Sequence, residues 1–397
     1  MRSSRARLTP GLANVTLRPV VIGRTFAGVL LTALLCGPAQ GGTPLPPQPP
    51  GVPWPTASWP EGRADVTDAA AFQRAQEQLF EPKGRGGLPD TRALLVVQGG
   101  RLVFERYAEN FGPESRFRSW SMAKSVTQAL VGILVREGRL ALDDPAPVPA
   151  WRADGDPRGA LTLRHLLTMT SGLDNADGGD GPDSFVARLL FGDLSADTAG
   201  NAEQVALVYA PGTHWAYSTG TSQIVAAIVA RQVGGGREGF RAFVERELAT
   251  PVGASSLLVE FDAGGTPLGG GYTFATARDW ARLGLLYLRD GRWDAARILP
   301  EGWVDFSRSV TVLPSNAVYG AHFWVNGEPA LDQFRPLRAG LDAFEMSGNA
   351  GQFVVIVPDR DLVVVRLGEM QRFTWPELSD ALSDLIDAFP QRAEPTP

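Results

Sequence analysis

The chain has 397 residues, a formal net charge of −6, 44% hydrophobic and 20% charged residues. This excludes a disordered chain, and at about 150 residues per domain it allows two or three domains or one domain with a large insertion. A lone cysteine, Cys36, excludes a disulfide framework, a Cys-rich zinc site and an iron–sulfur centre, and the acidic balance argues against nucleic acid and anionic membranes as partners.

Taken in chain order, residues 1–24 carry Arg2, Arg5, Arg7, Arg18 and Arg24 and no acid, followed by an apolar run over 25–36 and then Gly37-Pro38-Ala39. A basic start, a short apolar stretch and small residues before a cut predict a secretory signal peptide, residues 1–39, cleaved after Ala39. The apolar run falls short of the roughly 20 residues needed to span a bilayer, so an uncleaved anchor is the lesser alternative. The expected location is secreted or periplasmic, and cleavage would remove five positive charges and the cysteine. Eight prolines in residues 43–60 predict an extended tether, with 40–65 as linker. Residues 66–80, opened by Thr67-Asp68, predict a helix. Two apolar runs around Gln98-Gly99-Gly100-Arg101 predict a hairpin. A second hairpin is predicted around Pro358-Asp359-Arg360-Asp361, then a helix over about 375–389. The middle, about 119–334, is mainly helical. The predicted fold is therefore α+β: an antiparallel sheet assembled from both chain ends (about 66–118 and 335–392), flanked by helices, with an inserted helical subdomain.

Common catalytic signatures are missing. No G-x-S-x-G elbow or H-E-x-x-H occurs, and the three histidines (His165, His214, His322) are scattered. Gly234 to Gly239 fits G-x-G-x-x-G but follows a helix-like segment and reads as a helix-to-helix linker. Asp174, Asp177, Asp180 and Asp183 form an acidic glycine-rich loop, read as solvated at the rim of a site, with Asp174 as a candidate substrate hydrogen-bonder.

What remains is Ser121-Met122-Ala123-Lys124 at the start of a helix running to about Glu137, with Val126, Leu130, Ile133 and Leu134 as its apolar stripe and Gly138 as its stop. Residues three apart share a helix face, so the Lys124 amine reaches the Ser121 hydroxyl. A serine needs a base, and lysine serves only if its pKa drops from about 10.4 toward about 7–8. Burial and the positive end of the helix dipole both act in that direction. Arginine does not release its proton. Only two of the 37 basic residues are lysine, Lys83 and Lys124, so a lysine at this position is informative, although S-x-x-K alone also arises by coincidence.

Two further segments join it: Tyr217 within Pro211-Gly212-Thr213-His214-Trp215-Ala216-Tyr217-Ser218-Thr219, just before a helix predicted over 222–233, and Ser347-Gly348-Asn349-Ala350-Gly351-Gln352 running into a strand. With Arg118-Ser119-Trp120-Ser121-Met122-Ala123-Lys124-Ser125 and the RHLLTMTSGL stretch from Arg164 to Leu173, the sequence resembles the serine β-lactamase and penicillin-binding-protein superfamily. Within it, the chain resembles the class C-related hydrolases, which include esterases, D-alanyl carboxypeptidases and 6-aminohexanoate-dimer hydrolases. The resemblance covers about residues 93–367. It implies Ser121 as acylated nucleophile, Lys124 as base and Tyr217 as second proton-transfer group. It also implies backbone N–H groups of Ser121 and Gln352 as oxyanion donors, and Asn349-Ala350-Gly351 as the third motif. Tyr319, Phe323 and Trp324 are expected to line or back the pocket.

Two departures stand out. Thr219 occupies a position commonly asparagine, and Asn349 one commonly lysine or histidine. Without that cation, binding of a substrate carboxylate is weakened, and short esters or small linear amides become the expected substrates, with Asp174, Thr219, Trp324, Asn349 and Gly351 as binding residues. A β-lactamase or D-alanyl-D-alanine carboxypeptidase is the enzymatic alternative, and a non-catalytic envelope ligand-binding protein is the alternative of another class. The resemblance requires neither metal nor organic cofactor, and the expected partner is a small molecule.

Overall fold

The runs 93–97, 353–357 and 362–365 are apolar without alternation, so strands built from them must be covered on both faces. In the computed structural model of the protein, all three lie inside one six-stranded antiparallel sheet. The structure describes residues 44–81, 90–178, 181–316, 318–326, 342–369 and 375–392. The expected signal segment, Lys83 and Asp180 lie outside them.

Helix α1 (Ala69–Phe80) opens at Asp68, whose carboxylate accepts the Ala71 N–H at 2.9 Å. Strands β1 (Thr91–Gln98) and β2 (Arg101–Tyr107) meet at the predicted Gly99-Gly100 turn, where φ values of +59° and +75° call for glycine. β3 (Arg116–Arg118) leads into α2 (Met122–Arg136). The helical region follows as α3 (Leu163–Leu167), α4 (Phe185–Phe191), α5 (Thr198–Glu203), α6 (Thr219–Val233) and α7 (Gly236–Val244), which continues through one π turn into α8 (Thr250–Val252). As expected, the glycine-rich Gly234-Gly235-Gly236 run links α6 to α7.

β4 (Leu258–Val259) and β5 (Thr273–Thr276) join β3 in a small sheet of order β3-β5-β4. Then come α9 (Ala277–Leu288), the β6 (Arg292–Trp293) and β7 (Ala296–Arg297) ribbon, and α10 (Trp303–Arg308). The chain returns to the main sheet through β8 (Trp324–Val325), β9 (Phe344–Gly348), β10 (Gln352–Val357) and β11 (Leu362–Gly368), and α11 (Trp375–Asp387) follows. The order β2-β1-β11-β10-β9-β8 places the two chain ends side by side, with Leu95 opposite Val365.

The sheet divides the core in two. Ala93, Leu95, Val97, Val354, Ile356, Val363 and Val365 face α2, α6 and α9. Leu94, Val96, Phe353, Val355, Leu362 and Val364 face the side of α1 and α11, packing with Phe72, Leu79, Leu382 and Phe389. Each such side chain contributes about 1.5–3 kcal/mol on burial. Burial on both faces is the physical reason the strand runs carry no polar alternation.

The proline-rich segment is a correction. From composition it was expected to be a tether, yet Trp59 is buried in the main core, the Pro55 carbonyl accepts Arg282 Nε–H at 2.7 Å, and Thr56 Oγ1 accepts Trp293 Nε1–H at 2.6 Å. Leu102 N–H also donates to the Pro60 carbonyl at 2.9 Å. Prolines lack N–H donors but keep their carbonyls, and large tryptophan surfaces favour docking over solvation. Among the described residues, no helix is long and apolar enough to cross a membrane.

Candidate active site

The site begins with a turn. Met122, Ala123 and Lys124 N–H groups donate to the carbonyls of Ser119, Trp120 and Ser121, so Ser121 stands at the N-cap of α2. Trp120, just before it, has φ +47°, a conformation costing on the order of 1–3 kcal/mol in a non-glycine residue. The Arg118 guanidinium lies 3.5 Å over the Trp120 ring and 4.0 Å over Tyr272, and these contacts hold the turn. Ser121 is half-buried, and one helical turn behind it Lys124 is only 1% exposed.

The Lys124 amine is enclosed by three oxygens: Ser121 Oγ at 3.0 Å, Thr219 Oγ1 at 3.0 Å and the Gly270 carbonyl at 2.9 Å. Burial lowers its pKa from 10.5 to about 8, opposed by the negative charge of Asp177. Tyr217 comes in from the segment before α6, its ring centroid 5.0 Å from Lys124 Nζ and its hydroxyl turned toward Ser121. Burial raises the Tyr217 pKa, so the phenol keeps its proton. The structure thus brings Ser121 and Lys124 together, as their spacing on one helix suggested, and places Tyr217 and Thr219, which the resemblance pointed to, beside them. Helix α6 begins at Thr219, earlier than predicted, because the Ser218 hydroxyl caps it by accepting the Thr221 N–H at 2.9 Å.

Behind Tyr217 stands an aromatic wall. Trp324 lies 5.4 Å from Tyr217 and 5.0 Å from Tyr319 between ring centroids, and Trp215 packs on both Tyr319 and Trp324. Phe323 is fully buried against Tyr287 and backs this region.

Asp174 is exposed, and its backbone N–H bonds the Ala206 carbonyl. The acidic residue that reaches the site is Asp177, a correction to the reading of its loop as solvated. One carboxylate oxygen accepts Thr219 N–H at 2.8 Å and the other accepts the Thr219 hydroxyl at 2.5 Å, while Asp177 N–H donates to the Tyr217 carbonyl at 2.7 Å. Burial raises its pKa, opposed by Lys124 and by the hydrogen bonds from Thr219. Nothing in a run of four aspartates distinguished the one that folds inward.

In the third motif, Gln352 starts β10, an interior strand, and its side-chain amide accepts Gly368 N–H and donates to the Gly368 carbonyl. Asn349 is exposed in the turn from β9 to β10, and the Gly351 carbonyl accepts from Arg366 at 2.8 Å. The glycine beside the nucleophile segment is Gly348 at the end of β9. A Cβ there would sit 2.2 Å from the Ser119 carbonyl oxygen. Among the described residues, β8 pairs with β9 at Phe344 and Glu345, and not at the Gly348 end. Gly348→Ala is therefore expected to push β9 away from the nucleophile turn and lower kcat/KM by about 10–100-fold, with a stability loss of about 1–3 kcal/mol, measured by ester hydrolysis and thermal melting.

Gly270 was not singled out from sequence, although the triple glycine Gly269-Gly270-Gly271 was a visible signal of close backbone approach. Its N–H donates to Gln223 Oε1 at 2.7 Å, which aims its carbonyl at Lys124. His322 is buried; its Nδ1 lies 3.0 Å from the Lys124 carbonyl, and burial lowers its pKa to about 3, so it stays neutral. His165 belongs to a capping box with Thr162, and His214 stacks on Tyr209.

Known proteins share the family and the fold. The chain is 28% identical over 317 residues, 72% of its length and 73% of the relative's, to a 6-aminohexanoate-dimer hydrolase of Paenarthrobacter ureafaciens. Its fold is similar to that of a penicillin-binding protein homologue from Caulobacter crescentus (TM-score 0.58, 19% identity, covering 82% of this chain and 98% of the other). A family VIII carboxylesterase shares the fold at the same TM-score of 0.58, with 16% identity and coverage of 83% and 98%. The Beta-lactamase family model matches residues 77–385, which contain the whole Ser121, Lys124 and Tyr217 cluster, and on that match the chain belongs to the beta-lactamase family of serine hydrolases.

Proposed function

We propose that this serine hydrolase works through an acyl-enzyme on short esters or small linear amides. The observation that carries the reading is the Lys124 environment. Two of the three oxygens around the amine, Thr219 Oγ1 and the Gly270 carbonyl, take N–H donors, which leaves the lone pair of a neutral amine facing the Ser121 hydroxyl. Ser121 Oγ attacks the substrate carbonyl carbon as its proton passes to Lys124. The carbonyl π electrons move to oxygen, where N–H donors hold the charge. Ser121 N–H and the N–H of Asn349, which follows Gly348 beside the nucleophile turn, are the donors we assign in preference to Gln352 N–H. Collapse expels the leaving group, protonated from Lys124 by way of Tyr217, and water then repeats the sequence to release the acid.

The substrate class is supported by the strand end that faces the nucleophile. Met346, Ser347, Gly348 and Asn349 carry no cation for an obligatory substrate carboxylate. The relative named as a 6-aminohexanoate-dimer hydrolase and the carboxylesterase of the same fold support this choice. Intact-mass spectrometry after exposure to p-nitrophenyl acetate, a fluorophosphonate and a penicillin tests the reading. An adduct on Ser121 from the first two is expected, lost in Ser121→Ala. Either a stable penicillin adduct or fast turnover of that drug would favour the β-lactam alternative, and no adduct with any probe would leave the ligand-binding alternative. We also propose export by the N-terminal segment: N-terminal sequencing of protein recovered from the periplasm or medium should read from Gln40, and an intact Met1 start there would reject it.

A further inference from the structure

We propose that Asp177 is a positioning residue that acts through the Thr219 hydroxyl to reserve the Lys124 lone pair for Ser121. The inference rests on the serine hydrolase reading above and concerns how its base is kept available.

A threonine hydroxyl has one proton to donate. Here that proton is committed to Asp177 Oδ2 at 2.5 Å, while Asp177 Oδ1 holds the Thr219 backbone N–H at 2.8 Å, so the carboxylate grips one residue at two points. With its proton turned away, Thr219 Oγ1 can only accept from Lys124, at 3.0 Å. Were the hydroxyl free to rotate, it would donate into the amine lone pair and compete with Ser121 for the same site. The Gly270 carbonyl is an acceptor by nature and needs no such control. The same carboxylate lies within electrostatic reach of Lys124 and favours the ammonium formed when Ser121 gives up its proton. Asp177 thus does for a lysine base what a buried carboxylate does for the histidine of a triad: it orients the base and balances the charge the base acquires. The arrangement also fits the departure at Thr219, since a hydroxyl, unlike an asparagine amide, needs a partner to decide which way it donates.

The other titratable groups around the pair do not substitute for Asp177. Tyr217, half-buried, and Tyr319, buried, are phenols that keep their protons, and His322 is held neutral behind the Lys124 carbonyl. Glu345, on β9 opposite Trp324, has its pKa raised by burial to about 8, so at neutral pH it holds a proton and brings no second carboxylate charge.

The test is a double-mutant cycle of Asp177→Asn and Thr219→Ala on the full chain, following acyl-enzyme formation with p-nitrophenyl acetate across pH. Asp177→Asn alone should lower kcat by about 10²-fold. It should also move the acidic limb of kcat/KM to lower pH by about one unit, because loss of the negative charge loosens the proton on Lys124. In a Thr219→Ala background, the further step to Asn should cost less than about threefold, since the hydroxyl it orients is gone. Additive losses, or a limb that stays in place while activity falls, would overturn the inference and leave Asp177 a loop anchor. Should Asp177→Asn fail to fold, Thr219→Val and Thr219→Ser give the same decision. Serine should keep the wild-type limb and valine should shift it, and equal limbs would overturn the inference. Wild-type protein that takes no fluorophosphonate on Ser121 and hydrolyses no ester would instead reject the underlying reading.

Discussion

Lys124→Arg is expected to lower kcat/KM for ester substrates by at least about 10³-fold while leaving the protein folded. Proton transfer by a positioned base contributes about 10²–10⁴-fold, and arginine keeps its charge at any pH the protein survives. The guanidinium would also fill the space where Ser121 must deliver its proton. The wild-type rate profile provides a second check. Lys124 acts as a base only when neutral, and burial brings its pKa from 10.5 to about 8. kcat/KM should therefore rise with pH through an acidic limb near pH 8, with the apparent value belonging to the coupled Lys124 and Asp177 pair. Because burial raises the Tyr217 pKa, no alkaline limb from that phenol is expected below pH 10. A pH-independent rate between pH 6 and 9, or a Lys124→Arg variant of near wild-type activity, would remove Lys124 from the role of base.

Trp59→Ala is expected to destabilise the protein by about 3–5 kcal/mol, as full truncation of a core tryptophan does, and to shift the urea midpoint down without changing the slope. That is a large share of the roughly 5–15 kcal/mol that holds a typical domain folded. Trp59 is 8% exposed, and Arg282, whose guanidinium carbon lies 5.3 Å from its ring centroid, also ties down the Pro55 carbonyl and pairs with Asp279 at 2.5 Å. Deleting residues 44–60 should cost still more, because Trp54 packs on Trp293 at 5.6 Å and Thr56 is bonded to the same ring. If either change left the midpoint in place, the segment would be the dispensable tether its proline content suggested.

Those two residues mark the two sides of what could be read beforehand. Lys124 was legible because its chemistry is local: three residues separate it from Ser121, a helix brings i and i+3 to one face, and no arginine substitutes for it. Trp59 was not, because proline content describes backbone preference, whereas docking depends on a surface some 220 residues away at Arg282 and Trp293. The same contrast separates Tyr217, found from its motif, from Asp177, found only once its loop had closed over Thr219.

By itself, the amino-acid sequence determined the sheet built from both chain ends, the hairpin turn at Gly99-Gly100, the helix carrying Ser121 and Lys124, and the family. The first three follow from periodicity, turn chemistry or short spacing, which act over a few residues, and the family from the resemblance of its motif segments. Only the tertiary structure decided which of four aspartates meets Thr219, that Gly270 supplies the third oxygen around Lys124, that Gly348 abuts the nucleophile turn, and that the Gln352 side chain is engaged by Gly368. Each of these depends on which strand end or loop lies next to α2, and that neighbour relation is set by packing the two faces of the sheet.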